Sequence, residues 1–144
     1  MKKIIIIMLV AMLELLTGCN KEKINETIVK TIAGDIEEYD IGSERKKRAY
    51  DLGDDVIFVV AQYQKGADAY ECIYLLNSDL EQLEELKNDK YISNDDQIYI
   101  VGLWANTKEL IFKMQNGDYE TEELVEYIYK CQEKLKEGEN WNDN

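Results

Sequence analysis

The chain has 144 residues, 17 of them basic and 30 acidic, for a formal net charge of −13, and it contains neither histidine nor proline. That length suits a single modest core. The acidic balance argues against nucleic acid as a partner, because such binding depends on basic groups displacing condensed counterions. The lack of histidine removes the commonest general base and the commonest metal ligand.

In chain order, Lys2 and Lys3 come first, followed by an apolar run from Ile4 to Leu13. A helix of ten residues covers roughly 15 Å, about half of a hydrocarbon core of ~30 Å. Extending the run to Leu16 brings in Glu14, whose charge is costly in lipid. The stretch therefore reads as an export leader and not as a span. It closes on Leu16, Thr17, Gly18 and Cys19. Behind a basic start and a short apolar core, this quartet resembles the lipobox of bacterial lipoprotein precursors. The resemblance implies that signal peptidase reads Leu16, Thr17 and Gly18, that the Cys19 thiol receives a diacylglyceryl group, and that Cys19 then begins a mature chain of 126 residues. Glu14 departs from the family pattern, since acidic residues are unusual in the apolar core of a leader.

By that resemblance the protein sits on the extracytoplasmic face of the cell membrane, with membrane lipid as its partner through acylated Cys19. One acyl chain binds weakly, but two or three hold firmly. Loss of Lys2, Lys3 and Glu14 with residues 1–18 takes the net charge to −14. A domain so acidic is soluble and is discouraged from lying flat on anionic lipid.

Residues 19–26 read as a charged, lipidated tether. A single acidic domain is expected over 27–138, and 139–144 as a frayed polar tail. Ile24, Ile28, Ile32 and Ile36 recur every four residues, as on a helix face, although the β-branched residues and Gly34 leave a strand over Thr27–Ala33 in competition. Arg45, Lys46, Lys47 and Arg48 follow, a basic tetrad that holds both arginines of the chain. Ser43 and Gly53 would bound a short helix there. The tetrad is either a contact patch for anionic headgroups or an acidic partner, or a solvated surface paired with the protein's own acids.

Val56–Tyr63 and Tyr70–Leu76 are nearly continuous apolar runs around a turn at Lys65-Gly66, which predicts a β-hairpin. Ser78 and Glu81 fit a capping box opening a helix over Asp79–Lys87. After a polar stretch from Asn88 to Asp96, Gln97–Trp104 and Glu109–Met114 predict a second strand pair, closed by Asn116-Gly117. The final helix is the clearest. Thr121 caps it, Glu122 and Glu123 occupy its first turn, Lys134 and Lys136 its last, and Gly138 follows. Leu124, Ile128, Cys131 and Leu135 form one stripe. The expected fold is α+β: a four-stranded, mainly antiparallel sheet in the order β-β-α-β-β-α, with helices packed on it, behind a cleaved signal peptide.

Cys72 and Cys131 are the thiols left after lipidation. A disulfide between them would be worth ~4 kcal/mol in the chain-entropy picture. Their apolar faces favour two buried free thiols instead. No metal or other cofactor is implied, since two isolated cysteines lack zinc-site spacing and Asp51, Asp54 and Asp55 around Gly53 do not follow a calcium loop. Ser43, Ser78 and Ser93 have no histidine to activate them, and no phosphate-cradling glycine loop or nucleophile elbow occurs. The Asp54-Asp55 and Asp95-Asp96 pairs are what so many acids produce in solvated loops. Ten of the fourteen aromatic residues are tyrosines, suited both to strands and to recognition surfaces. A non-enzymatic domain that binds a protein or an envelope component is expected. Two other readings stand beside it: an immunity or exclusion lipoprotein against a toxin, bacteriocin or mobile element, and a wall hydrolase working through carboxylates.

Overall fold

The computed structural model describes residues 22–141. They form four α-helices: α1 Glu22–Gln64, α2 Ala69–Leu86, α3 Asn94–Gln115 and α4 Glu122–Lys136. Among the described residues there is no strand, so the expected four-stranded α+β architecture is corrected to an all-helical one. The leader quartet with Cys19 lies outside the described residues, as do 142–144. The chain divides into two units, Met1–Ile41 and Gly42–Asn144, with the division falling inside α1. In the first unit the backbone is helical from Glu22, which covers the end of the expected tether and replaces the competing strand over Thr27–Ala33.

The second unit gives the physical reason for the correction. In the run read as a first strand, the buried residues are Val56, Val59, Val60 and Tyr63, while Phe58 between them is 64% exposed. That spacing is one face of a helix, and Ala49 and Leu52 extend the same stripe backwards. On α2 the stripe is Cys72, Leu76, Asp79, Leu83 and Leu86; on α3 it includes Ile100, Leu103, Thr107, Leu110 and Met114. A continuous apolar run contains both a period of two and a period of 3.6, and its length of about eight residues does not separate them. Ala105, Asn106 and Thr107, which would have to link the two strands of the expected second pair, are helix interior. Thr107 donates its hydroxyl to the Leu103 carbonyl at 2.8 Å and Asn106 its amide to Gly102 at 2.7 Å, so turn-forming side chains are satisfied by the preceding helical turn.

Caps and turns set the helix limits. Asp68 opens α2, its Oδ1 accepting from the Glu71 amide at 3.1 Å, and the expected capping serine, Ser78, lies within that helix. Ser93 opens α3, accepting from the Asp96 amide at 3.2 Å while its hydroxyl donates to Asp96 Oδ2 at 2.8 Å. The reversals at Gly66 and Gly117 both use the left-handed backbone region, with φ of 92° and 66°. Thr121 stands at the start of α4, but it makes no cap bond. Its Oγ1 accepts from Gln64 Nε2 at 2.8 Å, tying α4 to the end of α1.

Within this unit the part of α1 from Gly42 onward, α2, α3 and α4 run alternately up and down. Arg45 meets Asp89 and Arg48 meets Gln82, an antiparallel α1–α2 register. Gln64 at the end of α1 meets Thr121, and Ser43, about six turns earlier on the same helix, meets Glu139, so α4 is also antiparallel to α1. The short connections make each consecutive pair neighbours, as in a four-helix bundle. Its core includes Leu76, Leu83, Ile100, Leu103, Leu110, Ile128 and Leu135, all at 0% exposure. Burying each such side chain contributes about 1.5–3 kcal/mol before the chain-ordering entropy is counted.

Candidate functional site

The basic tetrad lies on α1, and helical geometry disperses it. Four consecutive residues fan over roughly 300° at 3.6 residues per turn. Arg45 Nη1 donates to Asp89 Oδ2 at 3.0 Å and Arg48 Nη2 to Gln82 Oε1 at 2.8 Å, both toward α2. Lys47 pairs with Asp51 along its own helix at 3.1 Å. Lys46 is largely buried and reaches Glu139 Oε1 at 2.6 Å and Asp96 Oδ2 at 3.2 Å. Burial alone would lower the Lys46 pKa, but its hydrogen bonds to Glu139 and Asp96 outweigh that and raise it. The structure thus spends the four cations on internal pairs instead of gathering them into one patch.

Lys46 also anchors the tail. Ser43 Oγ donates to Glu139 Oε2 at 2.6 Å and accepts from Trp141 Nε1 at 3.1 Å, and the Trp141 ring meets Tyr50 edge-on at 5.6 Å between centroids. Glu139 and Trp141 are therefore docked on α1, in place of the frayed tail expected from 139 onward.

Cys72 and Cys131 are both free and buried. Cys72 sits beside Tyr63, at the bundle end where Tyr63 stacks on Tyr119 with centroids 4.5 Å apart. Cys131 lies ten residues beyond Thr121 on α4, about 15 Å further along at 1.5 Å per residue. That separation is far outside disulfide reach. Burial pushes both thiol pKa values up, so neither is an activated nucleophile. The serines lie apart from one another: Ser43 is in the tail contact, Ser78 is exposed within α2 and Ser93 caps α3.

Among the described residues no group of three or more acids or cysteines is placed to hold a metal ion. Asp54, one of the acids around Gly53, accepts from Gln132 Nε2 at 2.8 Å, and the same amide donates to the Tyr50 carbonyl at 2.7 Å. This buried glutamine joins α4 to α1 where Gly53 leaves room for it. A Cβ at Gly53 would lie 2.7 Å from the Gln132 Nε2.

The outer surface offers two features that a binding partner would meet. Tyr70 and Tyr74, one turn apart on α2, are 85% and 74% exposed. An open cleft of about 460 Å³ lies where α3 meets the start of α4, lined by Glu109, Lys113, Glu120, Glu122, Glu123 and Leu124. Its lysine is held by Asp118 at 2.9 Å, so the lining is acidic in effect. Sequence reasoning missed this cleft, because Glu109 and Glu120 are brought together only by the reversal at Gly117.

One further acid stands apart. Asp79 occupies a position on the core-facing stripe of α2, at 8% exposure, with no basic partner among the described residues. Burial, and then the like charge of Asp55 on α1, pushes its pKa up to about 6. The available signal was its spacing, three residues after Leu76 and four before Leu83.

Comparison with protein-family models, with curated proteins and with solved structures gives no match.

Proposed function

We propose that this chain is a lipid-anchored protein of the extracytoplasmic membrane face, held by acylated Cys19 and acting by non-covalent recognition of a protein or an envelope component. The observation that carries this reading is the Leu16-Thr17-Gly18-Cys19 quartet behind Lys2, Lys3 and a ten-residue apolar run. The exposed rings of Tyr70 and Tyr74 support a binding role, since tyrosine combines large contact area with a polar tip at low entropic cost. The test is fatty-acid labelling and membrane fractionation of cells making the native chain or Cys19→Ala. The native chain should carry label and sediment with membranes, and the variant should be unlabelled and retain its leader or be released. Equal labelling of the two overturns the reading.

The acidic cleft favours one narrower version, an immunity or exclusion lipoprotein that intercepts a cationic toxin. In that case crosslinking in cells captures a basic protein, and capture falls steeply as salt rises.

A further inference from the structure

Asp79 lies where a helix bundle ordinarily places an apolar side chain. The α2 stripe runs Cys72, Leu76, Asp79, Leu83 and Leu86, and the residues on either side of the aspartate are buried leucines. Across the seam, Arg45 meets Asp89, Arg48 meets Gln82 and Tyr63 lies beside Cys72. That antiparallel register brings Asp55 of α1 opposite Asp79, and the two carboxylates act on each other as like charges. Behind Asp55 stand Asp51 and Asp54, which add to the negative potential. The nearest cation along α1 in this register, Arg48, is engaged by Gln82. From α2 and α3 no ionisable group acts on Asp79, and α4 offers the neutral Gln132 to Asp54. No fully enclosed side-chain nitrogen or oxygen among the described residues lacks a hydrogen-bond partner. The Asp79 carboxylate, which has no protein partner, therefore keeps a narrow contact with water through which a proton can enter.

We propose that Asp79, opposed by Asp55, is a proton-operated latch that tightens the α1–α2 seam in acid and loosens it at neutral pH. A carboxylate in this slot suffers both desolvation and repulsion. A carboxylic acid suffers neither. Protonation therefore relieves the seam without a change of fold.

The sign follows from linkage. The folded pKa of Asp79, about 6, lies above the ordinary aspartate value of 3.8, so between these values the folded chain binds more protons than the unfolded one. Stability therefore falls as pH rises through 6. Urea unfolding of the full chain, followed by tryptophan fluorescence at pH 5 and pH 7, provides the test, with Asp79→Asn and, as a control away from the seam, the exposed Asp95→Asn. From pH 7 to pH 5 the folding constant of the native chain should rise, relative to Asp79→Asn, by a factor of up to about ten. Asp95→Asn should follow the native chain. Identical pH profiles for the native chain and Asp79→Asn overturn the proposal. Should Asp79→Asn fail to fold, carboxyl NMR titration of the native chain decides. An aspartate with a midpoint near pH 6 is expected, and the proposal falls if none titrates above pH 5.

Discussion

Along α1–α2 the alignment is set by charged and polar side chains around an apolar stripe, whereas α3 and α4 come closest where a side chain is absent. In the first seam Arg45–Asp89 and Arg48–Gln82 fix the register, and Asp79 faces Asp55 without a cation. In the second, a Cβ at Gly102 would lie 2.7 Å from Cys131 Sγ, so the backbone of α3 presses on α4 with no slack. Polar contacts specify alignment and add little net energy, because desolvation offsets most of their attraction. Close packing adds energy and tolerates no extra volume. One bundle thus holds an adjustable seam and a rigid one.

The contrast can be broken most forcefully at Gly102. Gly102→Val should cost about 3 kcal/mol by overpacking, and adding Cys131→Ala should restore part of that loss in a double-mutant cycle read by urea unfolding. A neutral Gly102→Val would mean that the rigid seam has slack. Next in size is Lys46→Met, which leaves Glu139 and Asp96 facing one another without their cation. A loss of about 2 kcal/mol is expected, together with a shifted Trp141 emission as the tail lifts. Because the folded pKa of Lys46 is raised above 10.5, its contribution is complete below that value and disappears only as pH climbs beyond it. The native tail should therefore release in strong alkali, a transition that Lys46→Met lacks. The smallest effect belongs to Arg48→Ala, which removes an exposed contact and should cost less than about 1 kcal/mol. A loss as large as that of Gly102→Val would erase the difference between the seams.

The same two seams explain which parts of the structure were legible in sequence. α4 stood out because its acids, bases and apolar stripe all repeat with one period, and the turns at Gly66 and Gly117 because glycine marks a left-handed backbone. The helices containing Val56–Tyr63, Tyr70–Leu76 and Gln97–Trp104 were hidden by uninterrupted apolar runs, in which exposed Phe58, Leu75 and Val101 look no different from core residues. Gly53 reads as a helix end, yet it sits within α1, as Gly42 does, and Gly102 sits within α3. At Gly42, for example, a Cβ would run into the Tyr91 carbonyl. The basic tetrad suggested a patch because neighbours in sequence look like neighbours in space, which a helix denies. Asp79 escaped notice among Asn77 and Ser78, where a polar residue seems unremarkable. The docking of Glu139 and Trp141 on Ser43 joins residues 96 and 98 positions apart and leaves no local signal.

That last contact has a topological consequence. Ser43 and Trp141 share a hydrogen bond at one end of the bundle, while the tight reversals at Gly66 and Gly117 lie together at the other, where Gln64 bonds to the Tyr119 carbonyl. The unit from Gly42 to Trp141 is in effect a closed ring of four helices, stitched where a chain would ordinarily be open. Its packing is indifferent to where the polypeptide starts, so a rearranged chain entering at either glycine turn, with a short peptide bridging the old ends, contains every contact that holds the bundle together.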